Sequence, residues 1–354
     1  MQFLPVLFAC ASFSASQTPT PTPAPPQAVS PADSTWVAAH DLKKKADYEK
    51  AGRAFAAYAQ GFPGTPRGIE ALVEEGVCHF SLGRARQRLQ QNNQDSMSAF
   101  GLADARFRTV VEEHATSAVA GRAQYMRGTV AMFSGDLVLA EREYGTGLER
   151  FALDAKYLPK SLERRAAVRR HLLKTADGRT DLARYAREFP KGEDAEAVKR
   201  YLSMMELFDK PVPELFSGAW VQGDATTLAN LRGDVVVIYF FATWCENCEK
   251  ARPFLLDLAK RFEPMGVRWI GIVDHSQGQT PESVRAFLGS NAIHFPVYMD
   301  EGRTTTTVRG QKIPDVVLLD REGRIRWHDN PANLQDATIE LLLTEDPAAL
   351  PVPK

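Results

Sequence analysis

The chain has 354 residues, 44% hydrophobic and 25% charged, which is the profile of soluble globular protein and a length that predicts two folded domains with additional segments. Whole-chain disorder and a polytopic membrane protein are excluded. With Lys+Arg 43 against Asp+Glu 44, the net charge of −1 lacks the cationic excess that nucleic-acid binders use, so no nucleic-acid partner is expected.

Phe3 to Ala11 form a short apolar run, FLPVLFACA, followed by small residues in SFSAS, the order found in a secretory signal. The run falls far short of the ~20 residues that span a bilayer. No Lys or Arg precedes it, the first being Lys43. Residues 1–16 therefore read as a removed signal or, with Cys10 in LFAC as the lipidated residue, as a lipoprotein leader; a disordered cytosolic leader is the alternative. Export would place the protein in the periplasm or cell envelope, with any membrane attachment through the N-terminus. Residues 17–34, QTPTPTPAPPQAVSPADS, are rich in Pro and Thr and read as a semi-extended linker, because Pro removes backbone donors.

Residues 35–210 read as all-α. Tyr48, Ala51, Phe55 and Tyr58 share one helical face, Gly61 to Gly64 break it, and a second helix carrying Ile69, Leu72, Val73, Val77 and Phe80 is predicted to stop near Gly83. GFPGTPRGIEALVEEGVCHFSLG aligns with EHATSAVAGRAQYMRGTVAMFSG at an offset of 52, pairing Thr65 with Ser117 as N-caps, Ala71 with Ala123, Gly76 with Gly128 and Gly83 with Gly135. A third copy begins at Glu188-Phe189-Pro190. This pattern resembles divergent tetratricopeptide-like repeats, and the resemblance implies helical hairpins that either dock a partner protein on a concave surface or serve as a scaffold. Arg164, Arg165, Arg169 and Arg170 read as a solvated helix face, and Cys78, on an apolar face, as a buried thiol.

Residues 211–346 read as an α/β layer: strand (Asp234 to Phe241), helix (Glu246 to Phe262, inner face Phe254, Leu255, Leu258, Phe262), strand (Val267 to Val273), helix (Pro281 to Leu288, capped by Thr280), hairpin (Val316 to Leu319, Arg324 to Trp327) and helix (Ala337 to Leu343). Residues 347–354 read as a flexible tail. At the end of the first strand stands Trp244-Cys245-Glu246-Asn247-Cys248. A thiol at a helix N-terminus meets unpaired N–H groups and the positive dipole end, which favour its thiolate and make Cys245 the nucleophile. Cys248, one turn on, can resolve the mixed disulfide. The alternatives are a zinc half-site, for which no second CxxC or HxxxH is present in this part, and an inert disulfide. No cofactor beyond a redox-active Cys245–Cys248 disulfide and no metal is expected.

FFATWCENC, followed by KIPDVVLLDREGRI, resembles the thioredoxin superfamily, and within it the extracytoplasmic thiol–disulfide oxidoreductases of the TlpA/ResA type. PVPELFSG…TTLANLRGDVVVIYFFATWC is similar to that group's lead-in hairpin and first core strand, and DHSQGQTPESVRAFLGSNAIHFPVYMD to its insertion. The resemblance implies a thioredoxin fold, a cis peptide at Ile313-Pro314 whose loop pairs with the client backbone, and Trp244 shaping the surface beside the thiols. Pro253 matches the proline of the active-site helix. Departures are Tyr239 and Ala251, where relatives keep an acid, the Glu-Asn pair between the cysteines, and Asp315 after the cis-Pro. Glu249 or Asp315 are the candidate substitute proton acceptors.

The leading functional reading is an exported dithiol enzyme reducing a disulfide-bearing client, resupplied by an upstream thiol donor. A peroxiredoxin-like peroxidase would need a Thr three residues before the Cys, where Ala242 stands. A binding or assembly factor whose thioredoxin part docks or senses is the non-enzymatic alternative.

Overall fold

The computed structural model describes residues 31–88, 93–151, 156–212, 214, 219–301, 308 and 312–345. The expected leader with Cys10, most of the linker and the expected tail lie outside them. Helices α1 (Pro31–Lys44), α2 (Tyr48–Gly61), α3 (Pro66–Arg88), α4 (Asn93–Glu113), α5 (Ala120–Phe133), α6 (Leu137–Arg150), α7 (Tyr157–His171), α8 (Thr175–Glu188) and α9 (Ala195–Met205) come first, each packing on the next. Helix α1 starts inside the segment read as linker: a proline has no N–H to lose in the first turn, so Pro31 opens a helix rather than preventing one. Among the described residues no helix is long and apolar enough to cross a membrane.

The predicted face of α2 is buried at Ala51, Phe55 and Tyr58. Helix α3 passes through Gly83 instead of ending there. A Cβ at Gly83 would lie 2.6 Å from the Phe100 ring, so this glycine admits a neighbouring aromatic and does not terminate the helix. The aligned positions of the two copies agree in part. Gly76 and Gly128 both face a ring, of Phe107 and Tyr144, at 2.7 Å from a built Cβ, and Ala71 and Ala123 are both buried. Gly135, by contrast, sits in a turn at φ +86, and Thr65 accepts the Gly68 N–H at 3.1 Å while the Ser117 hydroxyl is buried without a partner.

Of the four clustered arginines, Arg164 is half exposed, but the other three are not a solvated face. Arg165 and Arg169 converge on the buried Asp181 at 2.6 and 2.8 Å, Arg169 also meets Glu141 at 2.9 Å, and Arg170 reaches Asp329 at 2.7 Å. Helix-face reading fails here because the carboxylates come from other elements.

The second part is a mixed six-stranded sheet in the order β1-β4-β3-β2-β5-β6, built from β1 (Ala219–Gln222), β2 (Val235–Phe240), β3 (Val267–Asp274), β4 (Val297–Asp300), β5 (Asp315–Leu319) and β6 (Ile325–Asp329). Helices α10 (Glu246–Phe262), α11 (Pro281–Ser290) and α12 (Asp336–Thr344) complete it. Strand β2 lies parallel to β3 and antiparallel to β5, so it is central and buried along its whole length, as its apolar run requires. The lead-in strand β1 pairs with β4, not with a sequence neighbour in a hairpin, and β4 itself adds a strand to the expected order. On α10, Leu255, Leu258 and Phe262 are buried, whereas Phe254 is exposed at 38%. The segment after α9 runs along β6, with Asp209 N–H donating to Ile325 O and Val212 N–H to Gly323 O, both at 2.9 Å, which covers a sheet edge.

Candidate functional site

The end of β2 delivers the chain to the N-terminus of α10. Phe241 N–H continues the ladder to Ile272 O at 3.0 Å, and Cys245 becomes the N-cap. Its sulfur accepts the Cys248 N–H at 3.1 Å, one of the donors that a helix start leaves unpaired. Cys245 and Cys248 form a disulfide with Cα atoms 5.2 Å apart, both buried, Cys245 at 8% exposure and Cys248 at 3%. Trp244 stands beside them at 44% exposure.

Two devices hold this turn. The buried Gln279 accepts the Thr243 N–H through Oε1 at 2.7 Å and donates to Asp274 O at 2.8 Å, tying the CxxC loop to the end of β3. Behind the helix, Tyr239 OH donates to Cys248 O at 3.4 Å and its ring stacks on Phe241, 4.9 Å between centroids. Burial pushes the Tyr239 phenol well above its usual range, so it stays protonated. The Ile313–Pro314 peptide is cis, and the Pro314 carbonyl accepts from Asn330 Nδ2 at 3.3 Å. Trp244, which precedes Cys245, lines a cavity of about 300 Å³ with Phe241 and Ile313.

Cys245 and Cys248 stand at the start of α10 with Trp244 just before them, and Ile313, of the cis Ile313–Pro314 peptide, packs against the core that holds the cysteines. The two candidate proton acceptors lie elsewhere. The Glu249 side chain is 70% exposed, with Arg252 at 4.0 Å. Asp315 is buried and pairs with His328 Nε2 at 2.6 Å. Successive residues of a strand face opposite sides. Val316 and Leu318 pack in the core that holds the cysteines, and Val317 and Leu319 in the core on the other side, so Asp315 faces away from the sulfurs. Sequence reasoning missed Gln279 and His328. The only signal for Gln279 was its place just before the Thr280 cap, whose side chain and that of Ser283 form a capping box. Cys78 is buried, and burial pushes its thiol up to about 12, the environment of an unreactive cysteine.

Residues 209–328 match the model of the AhpC/TSA family. The thiol-disulfide oxidoreductase ResA of Bacillus thuringiensis (strain Al Hakam) is 28% identical over 106 residues, 30% of this chain and 60% of the relative. The C-terminal region is similar to ResA. The Bacillus subtilis (strain 168) ResA is 29% identical over 104 residues, 29% of this chain and 56% of the relative. The chain therefore spans 60% or less of the length of these ResA relatives. A solved thiol-disulfide isomerase from Corynebacterium glutamicum aligns at 30% identity over 38% of this chain and 94% of the other, with a TM-score of 0.34. The helices of residues 31–205 precede the matched region.

Proposed function

We propose that this chain is an exported thiol–disulfide oxidoreductase that reduces disulfides in client proteins, its helical region docking the client. The observation that carries the reading is the vicinal Cys245–Cys248 pair at the start of α10, beside the cis Ile313–Pro314 loop and the Trp244 cavity. In the reduced form, the Cys245 thiolate attacks one sulfur of the client disulfide. A Cys245–client S–S bond forms and the other client sulfur leaves as a thiolate, which takes a proton from water. Cys248, deprotonated by solvent base, attacks Cys245, closes the intramolecular disulfide and expels the second client thiolate. Two electrons pass to the client, and an upstream dithiol donor returns two to the pair. Pro314 lacks an N–H, and its loop presents backbone to an extended client segment. The helix start is the local stabiliser of the Cys245 thiolate, since Tyr239 and Ala251 bring no charge to the pair. Export is supported by the apolar run Phe3 to Ala11 and the Pro/Thr tract that follows it. A peroxidase reading gains nothing from the site, because Ala242 offers no hydroxyl to a peroxide.

The test is trapping on a defined disulfide peptide. Cys248→Ser should accumulate a mixed disulfide through Cys245 that is stable to gel electrophoresis without reductant, and Cys245→Ser should accumulate none. Equal trapping by both variants, or by neither, would reject the assignment of nucleophile and resolver.

A further inference from the structure

Three neighbouring cavities lie between Trp244 and the helical region. The one beside Trp244 and Ile313 measures about 300 Å³. It shares Lys312 and Asp315 with a second, of about 320 Å³, which lies between α9 and the end of β6. The second shares Tyr201 and Asp329 with a third, of about 670 Å³, walled by α7, α9 and the segment after β6. The shared residues place the cavities side by side in a row that starts at Trp244, passes the cis Pro314 and reaches the cleft of the helical part, and we read the row as one groove.

Charge along the groove is uneven. In the middle stretch both carboxylates are engaged, Asp315 with His328 at 2.6 Å and Asp329 with Arg170 at 2.7 Å. Arg200 and Lys312 line the same stretch and make no ion pair among the described residues. In the wide cleft Glu163 is matched by Arg164 at 3.3 Å, and Asp194 and Arg84 also line it, the Arg84 guanidinium 3.7 Å from the Phe133 ring centroid. Arg200 and Lys312 line the same cavity as the cis Pro314, so the cations stand beside the loop proposed to meet client backbone.

We infer that the groove holds an extended segment of the client polypeptide, and that this segment carries acidic side chains where it passes Arg200 and Lys312. The inference rests on the oxidoreductase reading for the identity of the occupant, and it assigns the helical region a part in selecting clients by sequence near their cysteines.

The experiment uses the full chain and a fluorescein-labelled peptide of about 16 residues, which reaches roughly 50 Å when extended. One version has a Glu-rich flank and its control has Gln at the same positions, each with a central Ser in place of Cys. Anisotropy at low salt should show the Glu peptide binding about tenfold tighter, with the preference lost in high salt. Arg200→Glu, a reversal on an exposed helix position, should cancel or invert the preference, and Ala197→Trp, which fills the wide cleft, should weaken both peptides. Equal affinity for the two peptides, or a preference that Arg200→Glu leaves intact, would overturn the inference. Reduction is read separately, on versions of both peptides that keep the central Cys and carry it as a mixed disulfide. Binding without reduction counts against the oxidoreductase and leaves the groove standing, whereas reduction without a Glu preference does the reverse.

Discussion

Beneath the cysteine pair the side chain bonded to the Cys248 carbonyl is a phenol, and its chemistry limits what it can do. Tyr239 is buried, its hydroxyl has the Cys248 carbonyl as acceptor, and burial holds it protonated through the range where thiols exchange. It can steady the first turn of α10 but cannot take a proton from Cys248. Tyr239→Phe should therefore keep the rate of exchange with a small disulfide within about threefold and keep its pH profile, because loss of a general base would cost roughly a hundredfold or more. Stability should fall by about 1 kcal/mol, the usual value of one hydrogen bond. Stopped-flow rates across pH, with urea unfolding in parallel, make the comparison; a collapse in rate would give the phenol a place in proton transfer. The reacting cysteines and the cis-Pro could be read from the chain because short motifs specify them. Gln279 and the arginine partners could not, since Asp181, Glu141 and Asp329 come from other elements and no local pattern announces a tertiary ion pair.

At the scale of elements, the long helices and the central strand were legible. The bounds of α10 follow from the cysteine that caps it and the apolar residues at helical spacing, and β2 follows from an unbroken apolar run. Strand β4 was missed for a physical reason: Val297–Asp300 is only four residues, buried on both faces, and so shows no alternation. Gly83 was misread because a glycine that ends a helix and one that admits a ring look alike in sequence. The same distinction gives a prediction for Gly76 and Gly128. Alanine is the better helix former by about 1 kcal/mol. Here, however, its methyl would lie 2.7 Å from the Phe107 or the Tyr144 ring, each fully buried and unable to withdraw. Gly76→Ala and Gly128→Ala should each destabilise by about 1–3 kcal/mol. Denaturant midpoints decide it, and a gain in stability would mean that the helices slide apart at no cost.

On the scale of the whole molecule, the helical part and the sheet share an interface that includes buried polar groups. Arg170 pairs with Asp329 and lies over the Tyr201 ring at 4.5 Å, Leu173 packs on the core that holds the cysteines, and Ala337 packs on the core of α5, α6 and α7. At its centre the buried His171 faces Thr338, Nδ1 to Oγ1 at 2.9 Å, with Trp327 at 5.7 Å between ring centroids. Burial first, and then the adjacent Arg170 charge, push the His171 pKa down to about 3, with Asp329 opposing. In the unfolded chain an imidazole titrates near 6.5. The folded state therefore binds fewer protons between those values, so the stabilisation is complete above about pH 6.5 and drains as pH falls towards 3, by about 1.4 kcal/mol per unit. Between pH 7 and 5 this group should remove about 2 kcal/mol; Glu163 and Asp209, whose carboxyls burial pushes up, are present in both proteins compared, so the difference isolates His171. His171→Gln keeps a polar group facing Thr338 and cannot protonate. Urea unfolding at pH 7 and 5 should show the wild-type loss shrinking by that amount in the variant. An unchanged loss would mean that His171 is open to water in the native state and that the two parts of the chain separate before either unfolds.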